Sequence, residues 1–479
     1  MSMDTVQSLS RSTPERQGIS SRAIERFIGS VQDQGLELHS FMLLRRGHVI
    51  AEGWWDPYGP ELPHMLFSLS KSFTSTAIGL LAEEGRIALT DQVIGFFPEY
   101  APEAPSENLA AMTVRDLLVM GTGHAAEPAL ESEDWVADFF KQPVEHEPGT
   151  HFVYNSAATY MLSAILQKIT GKTLLEYLEP RLFEPLAIHG AAWENCPRGI
   201  NAGGWGLKLK TEDIAKFGQL YLQKGVWGGE RLIPEAWVLE ATSKQISNGP
   251  ADGSSDWTEG YGYQFWRCRH GAYRGDGAFG QYCIVHPELE AVIAITSGLN
   301  DMQAVLNSVW EHLVPAFEPD ALPEDEGAAV SLTETLGALN IQPPKFEAFS
   351  TREPEVSGIV FELEENEQKL RTFCVRFSEE EAVLEIEAHY GLESLTLGRN
   401  AWVEGTTRLF RMEEGKVCSS MTWNDNGCLV ITLRAVETPF CLTIVADFTD
   451  DVLHLAQSVN VSFGDPGLKP ITGRARREQ

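Results

Sequence analysis

Phe67-Ser68-Leu69-Ser70-Lys71-Ser72-Phe73-Thr74 is the stretch that decides how the rest of the chain is read. Phe73, Ala77, Ile78 and Leu81 follow at a 3.6-residue period and Gly85 stands where a C-cap belongs, so the spacing predicts a helix over 70–84. Ser68 and Lys71 lie three residues apart at its start and share one face. At that spacing an amine reaches a hydroxyl. A serine hydroxyl is a weak nucleophile at neutral pH, and a lysine takes its proton only when burial or nearby cations lower the amine's pKa. The helix start adds free N–H groups and a positive dipole for developing negative charge. The bland alternative is that Ser68 caps the helix and Lys71 is solvated, since chance supplies about one S-x-x-K in a chain this long. Here the pair is the only S-x-x-K in 479 residues, placed where a strand-rich segment feeds an apolar helix.

Upstream, 21–34 has helical spacing, and the alternating runs 39–44 and 48–54 around Arg45-Arg46-Gly47 read as a hairpin. Downstream, 113–120, 157–170, 174–182 and 211–222 read as helices. Strands return at 281–285 and 291–296, and 300–314 has the spacing of a closing helix. Strands, helices, strands is the order of an α/β (α+β) domain: an antiparallel sheet flanked by helices, with a helical lobe and a cleft between them. Prolines, acids and glycine without periodicity at 318–327 are linker chemistry. The expected division is 1–317, a linker at 318–329, and a C-terminal domain at 330–479. In that last part 372–377, 382–389, 394–397, 408–412, 417–423, 429–433, 441–446 and 459–463 alternate or are β-branched and aromatic, which predicts an all-β barrel or sandwich, lipocalin-like in kind, its interior filled or hollow.

Acidic residues number 68 against 37 basic, a formal charge of −31 that repels phosphate backbones and anionic lipid, so nucleic-acid and membrane partners are not expected. The first residues lack the apolar core of a signal peptide and no later run reaches about 18 apolar residues, so the expectation is a cytoplasmic protein. Seven cysteines without a CxxC pair, several in alternating apolar runs, read as small buried hydrophobes and not as disulfides or metal ligands. No HExxH or comparable cluster is present, and the expected cofactor and metal content is none. A histidine-based triad is disfavoured by the lack of a G-x-S-x-G elbow.

Two further elements add to the first. Glu147-Pro-Gly-Thr-His-Phe-Val-Tyr154-Asn155-Ser156 sets a tyrosine and short polar side chains before a helix, and a tyrosine beside an ammonium can hold a depressed pKa suited to shuttling a proton. Arg274-Gly275-Asp276-Gly277-Ala278-Phe279-Gly280-Gln281 is glycine-rich ahead of a strand, where a substrate backbone could approach and a free N–H could join the Ser68 amide in an oxyanion hole. Trp205, Trp266, Phe279 and Tyr282 are near these motifs, as core or as an aromatic pocket.

In that order the three elements resemble the serine β-lactamase and penicillin-binding-protein superfamily, in its class C-like branch of esterases, D-aminopeptidases and 6-aminohexanoate-dimer hydrolase. The resemblance runs over about 14–317, with support from 112–124, 203–207 and 213–222. It implies Ser68 as acylated nucleophile, Lys71 as its base, Tyr154 as the tyrosine of Y-x-N, and the Ser68 and Ala278 amides as oxyanion hole. Asn155, Ser156, Arg274, Gly275, Asp276, Gly277 and Phe279 are then the candidate substrate contacts. Ser156 stands where that family's β-lactamases have asparagine, with Asn155 adjacent, and Gly275-Asp276-Gly277 replaces lysine-threonine-glycine, which removes a cation that reads a substrate carboxylate. Arg274 is one position away. The implied activity is hydrolysis of a small ester or amide. Alternatives are a β-lactamase, D,D-peptidase or D-aminopeptidase and, outside catalysis, a ligand-binding protein that uses its β-domain.

Overall fold

The computed structural model describes residues 9–410 and 414–476. Two compact units are present. One comprises residues up to Gly53 with Pro63–Ser297 and Asp301–Gly337, the other Trp54–Leu62, Gly298–Asn300 and Ala338 onward.

The first unit is built on a seven-stranded sheet of β1 (Ser10–Arg11), β2 (Leu38–Arg45), β3 (His48–Trp54), β4 (Trp266–Arg267), β5 (Tyr273–Gly277), β6 (Gln281–His286) and β7 (Ala291–Ser297), ordered β1-β3-β2-β7-β6-β5-β4. β1 runs parallel to β3, while β2/β7, β7/β6, β6/β5 and β5/β4 are antiparallel. Every residue of β2, β6 and β7 is buried, so the sheet is covered on both faces. On one side α1 (Ser21–Asp33) sets Phe27 against Phe41, ring centroids 5.0 Å apart. The helix α2 (Ser70–Glu83) is buried from Ser70 through Leu81, on all its faces, which marks it as central and not as a surface helix. Its Phe73 stacks at 3.9 Å on Phe217 of α3 (Thr211–Leu222). A Cβ on Gly218 would sit 2.5 Å from Val292 and 2.8 Å from the Cys283 sulfur, so this glycine lets α3 lie directly on the sheet. The helical part also contains the 15-residue helix Ser156–Thr170. Among the described residues no helix is long and apolar enough to cross a membrane.

The second unit is a barrel. Its strands are β8 (Phe361–Leu363), β9 (Leu370–Phe377), β10 (Glu381–Ala388), β11 (Gly391–Arg399), β12 (Val403–Thr407), β13 (Gly415–Trp423), β14 (Leu429–Ala435), β15 (Cys441–Thr449), β16 (Val452–Val459) and β17 (Gly467–Ala475). The hydrogen-bonded order is β11-β10-β9-β8-β17-β16-β15-β14-β13-β12, and a parallel β11–β13 pairing closes nine strands into a ring. β13 divides one edge between two neighbours: Gly415–Ser419 meets β12, then Ser420 and Met421 meet Gly398 and Arg399 of β11. Closure removes the exposed edges of an open sheet.

Several expectations shift. The strand expected at 408–412 lies instead at Val403–Thr407: Arg408 leaves the ladder and binds Glu393, residues 408–410 are bend and turn, and 411–412 lie outside the described residues. The run at 459–463 is strand only to Val459. β17 carries two glycines and Pro470 and reads as a loop, yet it pairs on both sides, with Pro470 at the register shift opposite Leu455–Gln457. Residues 326–337, at the end of the expected linker, form the helix Glu326–Gly337 and group with the first unit.

Candidate active site

Ser68 sits in a short 3-10 turn, Phe67–Leu69, that runs straight into α2. Phe67 holds φ of 47°, a conformation unfavourable for a bulky side chain. Phe279, beyond β5, holds φ of 65°, and the two rings meet edge to face at 5.3 Å. Between them lies the reason for the glycines of β5. A Cβ on Gly277 would fall 2.0 Å from the Leu66 carbonyl oxygen, and one on Gly275 would fall 2.5 Å from Leu69 and 2.6 Å from Ser72 Oγ. The glycines therefore seat the serine-bearing turn on the strand, a role that the sequence reading did not assign to them. β4 pairs only with Tyr273 and Arg274, so it leaves the edge of β5 unpaired from Gly275 onward, and half-buried Ala278 follows at its end.

Lys71 is 1% exposed. Its Nζ donates to Ser68 Oγ at 2.9 Å, Ser156 Oγ at 3.1 Å and the Gly204 carbonyl at 2.8 Å. Burial brings its pKa down to about 7, against the pull of Glu127 and Asp276, which favour the charged form. A neutral amine has two N–H groups and one lone pair. The Ser156 and Gly204 oxygens suit the former and leave the lone pair for the Ser68 hydroxyl. Gly204 can approach because it lacks a Cβ, which would stand 3.0 Å from the Ser156 carbonyl.

Tyr154 hydrogen-bonds Ser68 and lies with its ring centroid 4.9 Å from Lys71 Nζ, against Trp266 at 5.1 Å. Its hydroxyl is pushed up, first by burial and then by the charge of Asp276. The depressed phenol expected from a neighbouring ammonium is corrected: the amine is the group whose pKa falls, and the phenol keeps its proton. Asn155 is corrected too. It is fully buried and caps its helix, its Oδ1 accepting from Ala158 N at 2.9 Å and its Nδ2 donating to Thr122 Oγ1 at 3.4 Å, so it cannot replace the family's asparagine; the neighbouring Ser156 is the one on Lys71.

Arg274 and Asp276 share the other face of β5. Arg274 is fully buried and donates from Nε to Asp276 Oδ2 at 2.8 Å and from Nη1 to the Asp256 carbonyl at 2.9 Å, with its guanidinium 4.5 Å from the Trp257 ring centroid. As a cation for a substrate carboxylate it is corrected, since its charge is opposed within the protein by Asp276. Burial pushes the Asp276 carboxyl up, and Arg274, Lys71 and a hydrogen bond from Trp266 pull it back. Tyr282 belongs to the core, donating to the Met302 carbonyl at 2.8 Å.

Two contributors carry no local sequence signal. Glu127 is exposed and accepts from Ser156 N at 2.6 Å at a helix start. Asp256, fully buried, accepts from Arg269 Nη2 at 2.8 Å, Gln303 Nε2 at 2.7 Å and Trp310 Nε1 at 2.9 Å, which pins the loop beneath Arg274. Their partners lie 13 to 54 residues away in the chain.

Sheet, buried central helix and lysine-coupled serine define the β-lactamase-like class of fold. Residues 24–309, more than half of the chain, match the family described as Beta-lactamase, and the chain belongs to that family. Over 286 residues it is 27% identical to the 6-aminohexanoate-dimer hydrolase of Paenarthrobacter ureafaciens, covering 55% of this chain and 73% of that protein. A penicillin-binding protein homologue from Caulobacter crescentus superposes with a TM-score of 0.51 at 18% identity, over 64% of this chain and 100% of that one. SurE, solved with D-Leu, gives a TM-score of 0.50 at 17% identity over 97% and 95% of the two chains, so its likeness in fold takes in the barrel.

Proposed function

We propose that the protein is a serine hydrolase that cleaves a small ester or amide through an acyl-enzyme on Ser68. The observation that carries this reading is the buried Lys71 amine, its pKa near neutrality, 2.9 Å from Ser68 Oγ. Neutral Lys71 takes the hydroxyl proton as Ser68 attacks the carbonyl carbon. The Ser68 and Ala278 amides hold the oxyanion, and the loss of one such donor costs about 10²–10³ in rate. Tyr154, still protonated, passes its proton to the departing alcohol or amine and is reprotonated from Lys71, and water then repeats the sequence on the acyl-enzyme. The open edge of β5 offers the substrate backbone a hydrogen-bonding partner beside this carbonyl.

Amide cleavage is supported by the relative named for an aminohexanoate dimer, while buried Asp276 beside Arg274 disfavours the anionic substrates that a β-lactamase or D,D-peptidase accepts. A fluorophosphonate is expected to add one adduct mass to the intact protein, mapped to Ser68, and Ser68→Ala is expected to lower turnover of a short-chain ester or amide by on the order of 10⁴–10⁶. An adduct on another residue, or wild-type turnover in Ser68→Ala, removes the proposal.

A further inference from the structure

The barrel interior is filled at one end and open at the other. At the filled end Phe361, Phe448 and Trp423 pack together, with ring centroids 5.6 Å apart for Phe361–Phe448 and 6.4 Å for Trp423–Phe448. At the other end a cavity of about 310 Å³ opens, walled by Leu370, Ile386, Leu442 and Ile444 and by Gln457. Inward positions of β16 alternate as Leu453, Leu455 and Gln457, so the third is a place where the pattern calls for another apolar side chain. Gln457 is 7% exposed, and its Nε2 has no hydrogen-bond partner among the described residues. A buried donor without a partner is costly, and leucine at this position would avoid that cost. An amide kept on this wall is accounted for if a ligand entering the cavity turns the Gln457 side chain toward it and supplies the partner.

We infer that this cup binds a small uncharged amphiphile: a medium-length apolar chain carrying an amide or ester carbonyl that accepts a hydrogen bond from Gln457 Nε2. The walls recognise the chain, and a volume near the lower limit of ligand pockets excludes long lipids. Neutrality follows from the rim. Arg408 donates from Nε to Glu393 Oε1 at 2.8 Å and lies 4.8 Å from the Tyr390 ring centroid, so its charge is already matched. A carboxylate there would give up its hydration to a neutral amide, on a protein of net charge −31.

The test uses the full chain carrying Ser68→Ala, so that no ligand is turned over, with the fluorescent probe N-phenyl-1-naphthylamine displaced by octanamide or octanoate at pH 8. Saturable probe binding is expected, with octanamide displacing more tightly than octanoate. Adding Gln457→Leu is expected to weaken octanamide about tenfold, the loss of one hydrogen bond to a neutral group, while the probe's own affinity is retained. Ile444→Trp, which fills the cup, is expected to abolish both and so separates the cup from any probe bound elsewhere. Absence of saturable probe binding, unchanged octanamide affinity in Gln457→Leu, or octanoate binding as tightly as octanamide overturns the inference. Thermal unfolding checks that each variant is folded, and Gln457→Met substitutes if the leucine variant is not.

Discussion

At Lys71 the balance of burial against charge sets the pH at which the proposed chemistry runs. The amine must be neutral to act, and burial outweighs Glu127 and Asp276 to place its pKa near 7. kcat/KM should therefore rise with pH through about 7 and stay level on the alkaline side, because the Tyr154 proton is held well above the usual phenol range. Glu127 favours the ammonium form, so Glu127→Gln should move the rising limb to lower pH. A pH–rate profile of the two proteins checks this, and an unmoved or raised midpoint contradicts the electrostatic account. Glu127 also accepts from the Ser156 backbone N–H, a bond that the glutamine carbonyl can retain, so the charge is the main change.

Among the elements, β5 and the Phe67–Leu69 turn act as one piece. Gly277→Ala places a methyl 2.0 Å from the Leu66 carbonyl, and backbone cannot swing aside as a side chain can. The turn must shift, with a loss of about 1–3 kcal/mol in stability and of about 10²-fold in kcat for a displacement near 1 Å. Thermal unfolding and steady-state kinetics read the two effects separately; wild-type kcat in a folded variant would show that the turn tolerates the shift. The sequence reveals the chemistry here because Ser68 and Lys71 are local to one helix start, and it conceals the role of Gly275 and Gly277 because the turn they seat is some 200 residues upstream. Arg274 and Asp276 read as substrate contacts for the same reason: their pairing with each other, and the Asp256 carbonyl beneath, exist only once the 250s loop has folded. β17 was hidden by its composition, since proline and glycine signal a loop unless a register shift accommodates them.

At the scale of the molecule, the barrel unit is assembled from three separate stretches of chain. Tyr58, from the first of these, packs with Cys418 and Val436 in a small apolar cluster joined by Leu62, Ile341 and Trp402, and its hydroxyl donates to the Thr438 carbonyl at 3.4 Å. A chain ended at Gly337 keeps Tyr58 and Leu62 and loses the rest of that cluster. It should aggregate on expression, and it should do so less when Tyr58 and Leu62 are replaced by serine; a monodisperse 1–337 fragment by size-exclusion chromatography would argue against this. The alternation of 429–433 and 441–446 made strands legible in this unit, whereas nothing in 54–62 marks it as belonging with residues synthesised so much later.

That lag has a cost in time. Leu62 leaves the ribosome about 370 residues ahead of Val436, on the order of 20–75 s at elongation rates of roughly 5–20 residues per second. Throughout that interval Tyr58 and Leu62 are without Val436, which completes their apolar cluster. Ribosome-associated holdases should therefore crosslink near Tyr58 in ribosome-stalled intermediates and let go only after the final strands emerge; equal crosslinking to the released, full-length protein would show that residues 54–62 are never sheltered.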